Sequence, residues 1–147
     1  MSDITTVILA AGNSTRFKAS KSKLVYPLCG LPIVSHIFNI AKKISGKNIL
    51  VVSNEKNKEE LKLILNTSKV VVQKKQKGTA DAIEQVKKYV KSKNILILFG
   101  DTPLVEVKDI RKLVSKFKKS KAKASLIAFN TSEPVSYTHL TLPTKKR

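Results

Sequence analysis

The sequence is short of the residues that staple small secreted domains and build metal centres. Its 147 residues include one cysteine, Cys29, so no internal disulfide can form. Two histidines beside that single thiol give no zinc-type ligand spacing. Aromatic residues make up only 5 % of the chain, and arginines are few, which leaves little with which to stack on or read nucleic-acid bases. No apolar run approaches the ~20 residues that cross a bilayer. Met1 to Thr6 also lacks the basic start and apolar centre of a signal peptide. These absences predict a soluble, cytoplasmic protein with neither a membrane nor a nucleic-acid partner. Two phosphate-binding signatures are missing as well: neither G-x-x-x-x-G-K-[ST] nor G-x-G-x-x-G occurs.

Lysine is abundant, and it brings the formal charge to +19. That charge would suit a polyanion, but the lysines are spread along every predicted helix face, as on a solvated surface. A basic α/β domain that binds polyanions is therefore the non-enzyme alternative, and it is supported by net charge alone. The length is that of one domain with a substantial core.

Apolar, β-branched runs recur at 4–11, 48–54, 69–73, 94–100 and 124–130, and they are continuous enough for strands buried on both faces of a parallel sheet. Helical patterns lie between them. Pro32 suits the first turn of a helix with an Ile33, Ile37, Ile40, Ile44 stripe that ends near Gly46. Leu61, Ile64 and Leu65 mark a second helix, after Glu59 and Glu60. Ala82, Val86, Tyr89 and Val90 mark a third, and Ile110, Leu113, Val114 and Phe117 a fourth. The order β-α-β-α-β-α-β-α-β predicts a three-layer α/β/α, doubly wound, mainly parallel sheet of Rossmann-like type, with no internal repeat.

Ligands of such sheets bind beyond the carboxyl ends of the strands. The loop after the first strand, "GNSTRFKASKSKL", starts with Gly12 and carries Arg16 and Lys23. A glycine turn with exposed amides and fixed cations can cradle a triphosphate; an ordinary solvated loop would read the same way.

Three motifs carry a resemblance. "LAAGNSTRF" followed by "KLVYPLCGLPIVSHIF" resembles the opening of sugar-phosphate nucleotidyltransferases, L-A-A-G-x-x-T-R-M with P-K-x-L downstream. "VVQKKQKGTADAI" resembles their Q-x-x-Q-x-G-T-[AG]-x-A segment, and "ILILFGDTPLV" their I-L-x-L-x-G-D-x-P-L. Together, from residue 4 to Pro134, these are similar to the N-terminal domain of the bacterial bifunctional N-acetylglucosamine-1-phosphate uridylyltransferases. The glutamine pair with G-T-A departs from the molybdenum-cofactor guanylyltransferases and from the isoprenoid-pathway cytidylyltransferases.

The resemblance implies transfer of UMP from UTP to N-acetylglucosamine-1-phosphate with release of pyrophosphate, and Mg²⁺ as cofactor. Leu9, Ala10, Ala11 and Gly12 would line the nucleotide, Arg16 and Lys23 would hold the triphosphate, Gln73, Gln76, Gly78 and Thr79 would recognise uracil, and Asp101 would bind the metal. Another nucleoside triphosphate or acceptor on the same fold is the alternative. Lys23 follows Ser22 where the family pattern has proline, which predicts a looser loop. Each assignment has a plainer counterpart: Thr79 as a helix N-cap, Asp101 as a turn residue before Thr102-Pro103, His36 as packing or surface, Cys29 as a small half-buried residue, and Lys18 and Lys21 as surface.

Residues 1–134 are read as the N-terminal part of a nucleotidyltransferase domain, the resemblance stopping at "FNTSEP". Residues 135–147, "VSYTHLTLPTKKR", resemble translated vector sequence and are read as a non-native or disordered tail. On this reading the chain is an incomplete, inactive fragment and a monomer. The full-length relatives are trimers, assembled by a β-helix acetyltransferase domain whose hexapeptide repeats this sequence lacks.

Overall fold

The computed structural model describes residues 3–13 and 21–128. The chain divides into two compact units, Met1–Lys112 and Leu113–Arg147. The first holds every strand of the described residues. Its sheet contains β1 (Ile4–Ala10), β4 (Ile49–Ser53), β5 (Val70–Val72) and β6 (Asn94–Phe99), all parallel, in the order β5-β4-β1-β6. Between β1 and β4 come a small antiparallel hairpin, β2 (Pro27–Leu28) and β3 (Leu31–Pro32), and helix α1 (Ile33–Ser45). Helix α2 (Lys58–Leu65) links β4 to β5, and α3 (Thr79–Val86) with a short 3-10 turn links β5 to β6.

Burial explains why the central strands read as continuous apolar runs. All five residues of β4 are buried, as are six of the seven in β1. Val7, Leu50 and Val52 pack against Ala82 and Val86 of α3. Alternation along the strands turns Ile8 and Val51 to the other face, where α1 contributes Val34, Ile37 and Ala41 to the core. A fully buried Ile or Leu such as Ile8, Ile37 or Leu61 contributes about 1.5–3 kcal/mol of transfer free energy. The expected layered, doubly wound parallel sheet is what the structure contains.

Several details differ from the sequence reading. Pro32 is the N-cap of α1, one position before its first turn, and the buried face of that helix centres on Val34, Ile37, Phe38 and Ala41, with Ile33 and Ile44 half-buried at its margins. The helix does stop at Gly46, which takes a positive φ of 59°. β6 is not buried on both faces: it is an edge of this sheet, and Ile95 and Phe99 are exposed.

Cys29 is exposed rather than half-buried, because it and Gly30 form the two-residue turn of the β2-β3 hairpin, with φ of 49° and 80°. His36 has a packing role, its Nε2 lying 2.8 Å from the carbonyl oxygen of Leu28 in that hairpin.

In the second unit the described residues are the end of α4 (Val107–Lys119), where Leu113, Val114 and Phe117 are half-buried, and the segment to residue 128. Residues 124–128, expected to form a fifth strand, are exposed and join no ladder: an apolar run becomes a strand only when another strand takes up its backbone groups. Residues 129–130 and the tail 135–147 lie outside the described residues.

The lysines behave as the composition suggested. Lys74, Lys75, Lys77, Lys87 and Lys88 are exposed, as is Lys21. On α2, a hydrogen bond from Lys62 holds the Glu59 carboxyl below its ordinary range; at the start of α4, a hydrogen bond to Glu106 raises Lys108.

Candidate nucleotide site

Strand order reverses direction at β1, whose neighbours β4 and β6 are reached by connections running opposite ways, and the carboxyl ends of β1 and β6 therefore border a crevice. A cavity of about 720 Å³ lies there, within the size range of small-molecule sites. Leu9, Ala10, Ala11 and Gly12 line it from the end of β1, Lys23 from the following segment, Gln73, Gln76, Gly78 and Thr79 from the β5-α3 connection, and Asp101 from the turn after β6. Ten positions singled out from the sequence thus converge on one cavity, although they come from four separate stretches of chain. Arg16, the eleventh, and Lys18 lie outside the described residues.

Local chemistry holds each of these stretches. Ser22 caps the short 3-10 turn Lys23–Val25, accepting a hydrogen bond from Leu24 N–H at 3.4 Å, while Val25 N–H donates to Ser22 O at 3.1 Å. Serine in place of the family's proline therefore anchors this turn instead of loosening it. Leu24 is buried beneath it. Lys23 Nζ donates to Asp101 Oδ2 at 2.6 Å, with both side chains 40 % exposed. Asp101 does stand in a turn, but that turn is closed by Thr102, whose N–H and Oγ1 both donate to Phe99 O; the aspartate side chain is left to face Lys23.

Gly100 sets the distance between β6 and β1. Its N–H donates to Leu9 O at 2.9 Å, and a Cβ built at Gly100 would sit 3.1 Å from that same oxygen. Any side chain there would push the strand ends apart.

The β5-α3 connection is tied down by its two glutamines. Gln73, buried, donates through Nε2 to Gly78 O at 3.1 Å and to Asp81 Oδ2 at 2.6 Å. Gln76 Nε2 reaches across to Ala11 O at 3.0 Å and Asn13 Oδ1 at 2.9 Å. Gly78, at φ 102° and ψ −175°, is the N-cap of α3, so Thr79 is its first helical residue and not its cap. That backbone region is nearly exclusive to glycine.

Sequence reasoning missed Leu24, Ala82 and Phe99 on the cavity wall. It also missed Asn54 and Asn57 behind β1, whose side chains donate to Ala11 O and Ala10 O. Phe99 stands inside a quoted motif and could have been taken from it. The asparagines offered only a signal of spacing, two Asx residues three apart after a strand.

An open parallel sheet with a cavity at its point of strand reversal, walled by a glycine loop, a lysine and a carboxylate, defines a Rossmann-like nucleotide-binding protein. The chain belongs to the MobA-like NTP transferase domain family, whose family model matches residues 6–144.

Among curated proteins it is similar to the bifunctional protein GlmU of Buchnera aphidicola subsp. Schizaphis graminum, 40 % identical over 137 residues, covering 92 % of this chain and 29 % of that protein. It is also similar to the bifunctional protein GlmU of Campylobacter fetus subsp. fetus, 35 % identical over 146 residues, covering 97 % and 33 %. The chain therefore spans about a third of the length of these relatives. Among solved structures, Rv0371c of Mycobacterium tuberculosis H37Rv has the same fold, with a TM-score of 0.67 at 20 % identity over 79 % of this chain and 61 % of that one; a further structure of Rv0371c is a complex with manganese.

No helix among the described residues is long and apolar enough to cross a membrane.

Proposed function

We propose that this chain is the nucleotide-binding part of a sugar-1-phosphate uridylyltransferase, which joins UTP and N-acetylglucosamine-1-phosphate to give UDP-N-acetylglucosamine and pyrophosphate. The observation that supports it is the shared cavity of the Gln73-Gln76-Gly78-Thr79 segment, the Leu9–Gly12 loop, Lys23 and Asp101. In this reading an oxygen of the sugar phosphate attacks the α-phosphorus of UTP. A new P–O bond forms as the bond to the β-phosphate oxygen breaks, and the electron pair leaves with pyrophosphate. No covalent enzyme intermediate is needed, so the work of the protein is positioning and neutralising charge.

Lys23, with Arg16, offsets the charge that builds on departing pyrophosphate. Gln76 and Gln73 face the uracil side of the cavity. A carboxamide has both a donor and an acceptor to match the imide edge of uracil, and because the Nε2 groups of both are engaged within the protein, their carbonyl oxygens are the groups left to meet the N3–H of the base. Gly78 and Thr79 bring the start of α3 up to the nucleotide.

Asp101 suits Mg²⁺. Its carboxylate is on the cavity wall and already draws a cation, the Lys23 ammonium, to hydrogen-bond distance. Bound there, magnesium would neutralise phosphate oxygens of both substrates.

The test is a panel of UTP, CTP, GTP and ATP, each with Mg²⁺, in thermal-shift and calorimetric titrations. UTP is expected to bind most tightly, and equal responses to all four would overturn the uridine assignment. Gln76→Ala is expected to reduce the preference for UTP by roughly 0.5–1.5 kcal/mol while triphosphate binding persists.

A further inference from the structure

We propose that Asn54 and Asn57 are positioning residues that aim the backbone amides of the Ala10–Gly12 loop at the nucleotide. The inference rests on the reading that this cavity takes UTP.

The two asparagines, at the end of β4 and the start of α2, are both more than nine-tenths buried. Each accepts a hydrogen bond from the other's main chain: Asn54 N–H donates to Asn57 Oδ1 at 3.1 Å, and Asn57 N–H to Asn54 Oδ1 at 2.9 Å. This reciprocal pair occupies both carboxamide oxygens and fixes which way each amide points. The Nδ2 groups then donate to consecutive carbonyls at the end of β1, Asn57 to Ala10 O at 2.9 Å and Asn54 to Ala11 O at 3.2 Å.

Two further observations indicate that this arrangement does more than fill space. Asn57 is the N-cap residue of α2, where an asparagine oxygen ordinarily accepts from the helix's first free amides, and it makes no such bond. Its oxygen is engaged instead by Asn54 N–H, which holds the carboxamide with its Nδ2 toward β1. Ala11 O also receives a second donor, Gln76 Nε2 at 3.0 Å, so one carbonyl of a short loop is held from two directions.

Peptide planarity supplies the consequence. The described residues contain no cis peptide bond, so each N–H points opposite to the preceding C=O. Pinning Ala10 O and Ala11 O toward the asparagines turns the N–H groups of Ala11 and Gly12 the other way, and both residues line the cavity. Were either peptide to rotate, a carbonyl oxygen would face the anionic ligand where a donor should be. The pair therefore maintains the polarity of the loop while touching no substrate itself.

Asn57→Asp keeps the oxygen that accepts from Asn54 N–H but sets a carboxylate oxygen against Ala10 O. UTP binding by isothermal titration, with Mg²⁺, is expected to weaken about tenfold or more at pH 8. The variant-to-parent Kd ratio is expected to fall as the pH is lowered to 5, because the protonated carboxyl can again donate to Ala10 O. Ser45→Ala, which removes a buried hydrogen bond remote from the loop, serves as the control for lost stability and is expected to bind UTP as the parent does. If Asn57→Asp does not fold, by circular dichroism, Asn54→Asp is carried through the same measurements at Ala11 O.

A Kd ratio near one at pH 8, or a raised ratio that does not change with pH, would overturn the positioning role while leaving the uridylyltransferase reading intact. Failure of the parent chain to bind any nucleotide would overturn both.

Discussion

Lys23 Nζ and Asp101 Oδ2 meet at 2.6 Å although their residues are 78 positions apart, one in the segment that follows β1 and the other in the turn that follows β6. With both side chains 40 % exposed, the pair contributes only about 0–1 kcal/mol to stability. On the proposed function, its place on the cavity wall sets a cation for phosphate beside an anion for a metal.

Asp101→Asn is accordingly expected to change the free energy of urea unfolding by less than ~1 kcal/mol. In the same variant, magnesium-dependent UTP binding should weaken about tenfold or more, since a charged hydrogen-bonding or metal-binding group is lost. A magnesium titration of UTP affinity that matched the parent's would count against the metal role.

Two glycines make separable predictions about strain. Gly78→Ala forces a side chain into φ 102°, where no atom lies within 4 Å of the added Cβ, so its cost, about 1–3 kcal/mol, comes from the backbone alone. Gly100→Ala meets Leu9 O at 3.1 Å and Leu24 Cδ2 at 3.5 Å and should cost a similar ~1–3 kcal/mol through overpacking. Urea denaturation measures both. Trimming Leu24 to Ala relieves only a side-chain contact, so it should not rescue Gly100→Ala if the clash with the β1 backbone dominates.

Buried serines should respond in opposite directions. Ser53 Oγ, at the end of β4, is buried with no hydrogen-bond partner, and Ser53→Ala is expected to leave stability unchanged or raise it, because an unsatisfied hydroxyl is removed. Ser45 Oγ lies 2.8 Å from Thr6 Oγ1 and 3.1 Å from Ala41 O, and Ser45→Ala leaves Thr6 Oγ1 without that partner at a cost of about 1–3 kcal/mol. Thermal midpoints of the two variants on either side of the parent would bear out the contrast.

Much of the architecture was legible without coordinates. Runs such as "NILVVSN" are apolar at every position because β4 is covered on both faces, and that pattern survives in one dimension. Helix ends at Gly46 and the start of α2 near Glu59 were legible for the same local reason. The hairpin at Cys29-Gly30 was not, since two residues per strand are too few for any period, and residues 124–128 misled because an apolar run records a tendency to be buried and not the presence of a neighbour.

For the site, the sequence by itself determined which residue types were available and in what order: a glycine loop after the first strand, a lysine beyond it, a Q-x-x-Q-x-G-T segment and an aspartate closing an apolar run. Only the tertiary structure decided their company. Parallel strand order β5-β4-β1-β6 brings the ends of β1 and β6 side by side, so that Lys23 finds Asp101, and it sets the β4-α2 junction behind β1, so that Asn54 and Asn57 find two carbonyls. Those partners are separated by more than forty residues in each case, and no local pattern encodes a contact made by sheet order; it follows from which strands can share hydrogen bonds while burying the same core.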